Sequence, residues 1–221
     1  SLALRETHMK EKSGLEIRSL TGHFNMDSTS LHVPGLVLRT PDSYIRTQAD
    51  MDLSAVAEQP QGKMSARLMG ELGKQDVLLF AGGLPPAFVK AYPNSPVILR
   101  LSADGNLDTL NLTTAEARLA GAFELKADGK MFRLADSVRR SGHVNLDLRT
   151  RNLDFARALA GEEALKDIAL PPMRLDGNVG LNGQKYTADL RLREGKGNVQ
   201  VKGGFDAARM AYQAKLSIKD L

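Results

Sequence analysis

The sequence predicts a mainly β chain whose antiparallel strands pair in sequential order, with short helical insertions. Three observations carry this. Apolar and polar residues alternate with period two along most of the chain, as in "SYIRTQADMDLSA", where Ile45, Thr47, Ala49, Met51 and Leu53 share one face. Asp104-Gly105, Asp128-Gly129, Asp176-Gly177 and Asn182-Gly183 punctuate the alternation and read as two-residue hairpin turns. Two stretches, 75–93 and 152–172, bunch their apolar residues and end in proline.

The first dozen residues, "SLALRETHMKEK", have a charged, mildly helical pattern and read as the end of a preceding element. The chain opens without Met and is expected to be an excised piece of a longer protein. Leu15 and Ile17 begin the alternation, and Leu20, Gly22, Phe24 and Met26 resume it after a one-residue phase change, as at a bulge or turn. "SLHVPGLVLRT" follows. Further short strands are expected at Val97–Leu101, Leu107–Leu112, Ala117–Leu125, Val144–Leu148, Val179–Leu181, Ala188–Leu192, Val199–Val201 and Met210–Ile218.

In the first helical stretch Asp76 is the expected cap, and Pro85 suits the first turn of a second helix. In the second stretch Asp154 is the cap candidate. Phe155, Ala158 and Leu159 share a face there, and Ala164, Leu165 and Ile168 form a similar turn. The two stretches suggest a repeat. Asp76 to Asp154 spans 78 residues (154 − 76), and Gly105 to Gly183 spans the same (183 − 105). One supersecondary unit recurring at fixed spacing points to a quasi-linear architecture. The expected organisation is a fragment of a preceding element at 1–12 and two β units. The first covers 13–125, with a helical insertion near 75–93; the second covers 126–221, with one near 152–170.

Composition excludes several classes. The 221 residues contain no cysteine, so neither disulfides nor thiolate metal sites can form. The net charge of +4 arises from 30 basic and 26 acidic residues spread along the chain, with no basic stripe of the kind nucleic acids need. Solvated strand faces account for these charges, and no nucleic-acid partner is expected. His8, His23, His32 and His143 are scattered and lack metal-ligand spacing. "DGNLD" at 104–108 lacks a closing glutamate for calcium, and "GELGK" at 70–74 is too short for a phosphate loop. Asn111-Leu112-Thr113 matches a glycosylation sequon at chance level. No acid–base pair or nucleophile elbow stands out. The chain is therefore expected to be no enzyme and to carry no catalytic residue, metal or cofactor.

What remains is the apolar strand face. Its candidate residues are Leu99, Leu101, Leu107, Leu119, Phe123, Leu125, Val144, Leu146, Leu148, Val179, Leu181, Leu190, Leu192, Val199, Val201, Tyr212, Leu216 and Ile218. Composition favours the closed core of a β-sandwich, such as a periplasmic or surface module that binds glycan or protein. A partly open apolar groove is the alternative. An edge-pairing export chaperone is a third reading. The helical stretches supply a candidate plug: Leu78, Leu79, Phe80, Phe88, Val89, Phe155 and Leu159.

The cadence of "GLEIRSLTGHFNMDSTSLHVPGLVLRTPDSYIRTQADMDLS", with "ADGNLDTLNL", "LPPMRLDGNVGLNGQKYTADLRLREGKGNVQVKGGFD" and "YQAKLSIKDL", resembles the TamB and AsmA-like family, also called DUF490-type translocation and assembly modules, in their Bacteroidota-type versions. The resemblance implies an elongated open groove of curled strands, the β-taco. It implies a periplasmic segment of an inner-membrane-anchored envelope protein that carries phospholipid acyl chains between the two membranes. It also implies a role in outer-membrane protein assembly, with an Omp85-type barrel engaged through regions outside this sequence.

Overall fold

A computed structural model describes residues 2–4, 8–10, 14–159 and 171–219. The strands in chain order are β1 (Leu2–Leu4), β2 (Met9–Lys10), β3 (Glu16–Ile17), β4 (Ser19–Met26), β5 (Ser30–Arg39), β6 (Tyr44–Asp52) and β7 (Met64–Leu72). After β7 come helices α1 (Lys74–Ala81) and α2 (Pro86–Ala91). The chain then continues as β8 (Val97–Gly105), β9 (Thr109–Leu119), β10 (Phe123–Phe132) and β11 (Ser141–Thr150). A 3-10 turn at Asp154–Leu159 leads on to β12 (Arg174–Asn182), β13 (Lys185–Glu194), β14 (Gly197–Asp206) and β15 (Ala211–Lys219).

Thirteen of these strands make one antiparallel sheet, and from β4 onward each strand pairs with its successor in sequence. The sheet does not close: β1 and β15 stand at opposite edges. Strands β2 and β3 pair only with each other. The described residues among the first dozen thus contribute strand where helix was expected; the others lie outside the described residues. The phase change after Ile17 is the gap between β3 and β4.

The only other sheet among the described residues is the two-stranded β2–β3 pair, so no second sheet of matching size covers the first. The closed sandwich that composition favoured is not what forms. Accessible surface makes the same point. The chain exposes 14491 Å², whereas a compact monomer of its 24.0 kDa mass would expose about 9,900 Å². Fully buried apolar residues are correspondingly few: Val33, Ala55, Phe88, Tyr92, Val97, Leu119 and Ala122.

Register is kept by bulges. In β9, Ala115, Ala117 and Leu119 are odd-numbered, yet Leu110 and Leu112 point to the same side. The pairing steps from Ser102 with Thr114 to Ala103 with Leu112, which leaves Thr113 unpaired in the ladder and restores the phase. In β5 a similar slip between Val33 and Leu36 brings Leu31 and Val33 onto the side of Leu36 and Leu38. One extra residue in one strand is what a bulge supplies.

Three expected hairpin turns are corrected. Asp128-Gly129 lies inside β10, Asp176-Gly177 inside β12, and Asp104-Gly105 closes β8 ahead of a turn at 106–108. In each the Asp sits on the polar side and the glycine on the apolar side, so the pair obeys strand alternation. At Gly177 a Cβ would lie 2.1 Å from the Asp189 carbonyl oxygen, so close backbone approach explains this glycine. The β12–β13 turn is Gly183-Gln184, one residue on from the expected Asn182-Gly183 pair: Asn182 ends β12, and Gly183 takes φ 61. The stretch Ala117–Leu125 is two strands, broken at 120–122. Leu53 begins a 3-10 turn and does not continue β6. The strands are longer than expected, mostly 8 to 11 residues. The boundary expected at 125/126 falls inside β10, and the sheet runs through it without a break.

Removing Thr113 is expected to turn Leu110 and Leu112 toward the charged side. The loss should be about 3 kcal/mol, from two leucines at the low end of their burial value. Urea unfolding of the deletion variant checks this, with Thr113→Ser as the control that keeps the bulge.

Candidate functional site: an uncovered apolar face

The register places apolar residues in rows that run across the strands. One row is Leu20, Leu38, Ile45, Gly70, Leu99, Ala117, Leu125, Leu148, Leu175, Leu192, Val199 and Ile218, one residue from each of twelve consecutive strands. The next runs Gly22, Leu36, Thr47, Leu68, Leu101, Ala115, Ala127, Leu146, Gly177, Leu190, Val201 and Leu216. A third mixes small residues, Ala49, Ala66, Ala103, Gly129, Ala188, Gly203 and Ala214, with Val33, Leu112, Val144 and Val179. The fourth starts with Met26, Leu31, Met51 and Met64 and ends with Leu181, Tyr186, Phe205 and Tyr212. No charged residue stands in any of the four. Side chains alternate across a strand, so this side of the sheet is apolar over the four rows apart from Thr47, with Glu194 beyond them at the end of β13.

The reverse side is polar and laced with cross-strand ion pairs. Arg174 grips Asp147 with two bonds, of 3.2 and 2.7 Å. Lys202 meets Asp189 at 2.9 Å, and Arg193 pairs with Asp176. Desolvation pushes the Asp147 carboxyl up, but Arg174 and Arg149 together outweigh it and hold it below the ordinary carboxylate value. These exposed pairs contribute little stability each. They make this side the one that faces water.

Most of the apolar face is half-buried with no layer above it. Leu146, Leu148, Leu190 and Leu192 are all of this kind. Exposure rises at the last strands, where Tyr212, Leu216 and Ile218 are 86%, 60% and 50% exposed.

One margin is capped. Helices α1 and α2 leave the sheet between β7 and β8, and the 3-10 turn leaves it after β11, at the same margin. They fold onto the apolar side. Phe88 and Tyr92 pack with Val97, Leu119 and Ala122, flanked by Leu78, Leu84, Phe123 and Phe155. Phe155 bridges the two insertions, its ring centroid 5.6 Å from Phe88 and 5.3 Å from Tyr92. Burial pushes the Tyr92 phenol above its ordinary pKa.

A buried polar cluster anchors α1. Asp76 is not its cap: it lies in the first turn, after the N-cap Gly73, and accepts hydrogen bonds from the Thr40 and Ser43 hydroxyls. The cap is remote, because Asp42 accepts the Gln75 N–H at 2.8 Å. At α2 the expected first-turn proline is Pro86, and Pro85 is the N-cap. The turn expected at Ala164, Leu165 and Ile168 lies outside the described residues.

Of the eighteen candidate face residues, all but Leu107 point to the apolar side. Leu107 sits in the β8–β9 turn, its N–H bonded to the Ala55 carbonyl. Leu119 and Phe123 belong to the capped margin. Of the plug candidates, Phe88 is buried, and Leu78 and Phe155 pack against it. Leu79 is half-buried. Phe80, Val89 and Leu159 are 69%, 38% and 54% exposed and lie outside that core. Leu68, Ala103, Leu175 and Ala188 belong to the face but were not singled out. Only strand pairing aligns the alanines with their larger neighbours.

No group of three or more His, Cys, Asp or Glu able to hold a metal occurs among the described residues. No described helix is long and apolar enough to cross a membrane. No protein-family model, curated protein or solved structure matches the chain.

Two outcomes are expected. Leu146→Glu should leave the chain folded, at a cost of about 1–2 kcal/mol, because the site is open to water on one side; the same change at a sealed core site would cost several times more. Circular dichroism with urea titration checks it. The raised Tyr92 pKa means the cap's stability is full below pH 10 and falls as pH rises through the higher folded value. Amide exchange in α2 should quicken above its intrinsic pH dependence there, and Tyr92→Phe should remove the excess.

Proposed function

We propose that the chain is a non-enzymatic groove segment that carries phospholipid acyl chains along its apolar face. The observation that carries this reading is the uncovered side of the sheet, uncharged in four rows across its whole length. An exposed apolar area of this extent marks an interaction surface. Acyl chains suit it because they need no hydrogen bonds and gain about 0.8 kcal/mol for each CH₂ removed from water. Because the rows repeat Leu, Val and Ala without a distinctive pocket, a chain can shift along them without meeting a deep trap.

The resemblance to the TamB and AsmA-like family extends the proposal. On that reading the segment lies in the periplasm, within a protein anchored in the inner membrane. It serves lipid passage to the outer membrane or assembly of outer-membrane proteins, with an Omp85-type barrel as the partner of other regions.

Photoreactive residues at Leu146 and Leu190, with Asn145 and Asp189 as controls on the polar side, test the central claim in cells. Phospholipid adducts are expected at the first pair and at background level at the second. Equal labelling at all four, or none, overturns the reading.

A further inference from the structure

We infer that a phospholipid lies on this face with its phosphodiester headgroup at the margin opposite the helical cap, on the turns at 133–140 and 207–210. The inference rests on the reading of the face as an acyl-chain track, and it adds an orientation. The two margins of the sheet differ in three ways, the first over β7 to β11 and the other two toward β15.

The first is occlusion. At the capped margin the apolar side is sealed over β7 to β11 by Phe88, Tyr92 and Phe155. A zwitterionic or anionic headgroup there would lose its water against aromatic rings. At the opposite margin no buried apolar cluster closes the face among the described residues.

The second is the row nearest the open margin. Over β13 to β15 it consists of Tyr186, Phe205 and Tyr212, with Tyr186 and Phe205 stacked at 6.3 Å. Tyrosine suits a boundary at which one end of the side chain is apolar and the other wet. A depression of about 270 Å³ adjoins these rings, bordered also by Lys185 and Arg209.

The third is charge. The turns at 133–140, 183–184 and 207–210 carry Arg133, Arg139, Arg140 and Arg209 against Asp136, a formal +3 (4 − 1); Arg139 is paired with Asp136, and Arg209 with Asp206 at the end of β14. The first two turns are tied together, since Arg140 Nε donates to the Gly183 carbonyl at 3.2 Å. Guanidinium groups match the paired oxygens of a phosphodiester. The layers therefore follow those of half a bilayer: apolar rows, then tyrosines, then arginines, then water.

Two photoreactive phosphatidylethanolamines test this on the chain as it stands, with adduct sites mapped by mass spectrometry. One carries a diazirine at the acyl terminus, the other an aryl azide on the headgroup amine. The acyl probe is expected on the apolar rows and the headgroup probe on 133–140 and 207–210. Headgroup adducts on 73–96, or equally on both margins, overturn the orientation and leave the acyl-chain reading standing. Failure of the acyl probe to label the apolar rows defeats both. Arg133→Glu combined with Arg209→Glu should cut headgroup adducts at this margin at least threefold and leave acyl adducts at Leu146 unchanged. No decrease rules out the arginines as the phosphate's partners and overturns the orientation as argued.

Discussion

Parity of side chains along the strands is the constraint on which everything else rests. A strand offers two sides, and a one-residue slip exchanges them. Thirteen strands paired in order must each agree with the last, or a charge enters the apolar rows. The bulges at Thr113 and between Val33 and Leu36 are where the sequence would otherwise fall out of step. Each spends one ladder position to keep Leu110 with Leu119, or Leu31 with Leu38, on one side. The arginine–aspartate pairs of the other side are a product of the same parity.

An apolar side with no second layer is unusual in a folded chain, and the structure moderates it at one margin. The cap covers the ends of β7 to β11 with aromatic rings, and its attachment is polar: Thr40 and Ser43 hold Asp76, and Asp42 accepts the Gln75 N–H in the first turn of α1. A buried carboxylate held by two hydroxyls fixes where the helix sits in a way apolar packing alone does not. At the far edge nothing moderates it, and β15 presents both its apolar side chains and its unpaired backbone edge to water.

Much of this was legible in the sequence, because period-two alternation is a local signal. Seventeen of the eighteen candidate residues share one side of the sheet, although they were grouped without any knowledge of pairing. Leu107 was misplaced because a turn residue can imitate a strand residue over a short window. The Asp-Gly pairs misled for a related reason. Such pairs favour tight turns, but at Gly129 and Gly177 the glycine answers to a neighbouring strand's carbonyl, a partner distant in sequence. The cap's true anchor was equally hidden, since Asp42 reaches Gln75, and Asp76 reaches Thr40 and Ser43, only after β5, β6 and β7 are in place. Whether the apolar side would be covered could not be read at all. That depends on a second layer, and alternation looks the same with or without one.

The spacing of the helical insertions has a further consequence. The first follows Leu72 and the second follows Thr150, 78 residues later (150 − 72), with four strands in between. Neighbouring strands lie about 4.8 Å apart, so one such module advances the sheet by roughly 19 Å. Each module pairs only with the one before and the one after. Duplicating or deleting a module would change the reach of the protein in fixed steps and leave its cross-section untouched. Length in this architecture is a count of modules, adjustable like the links of a chain.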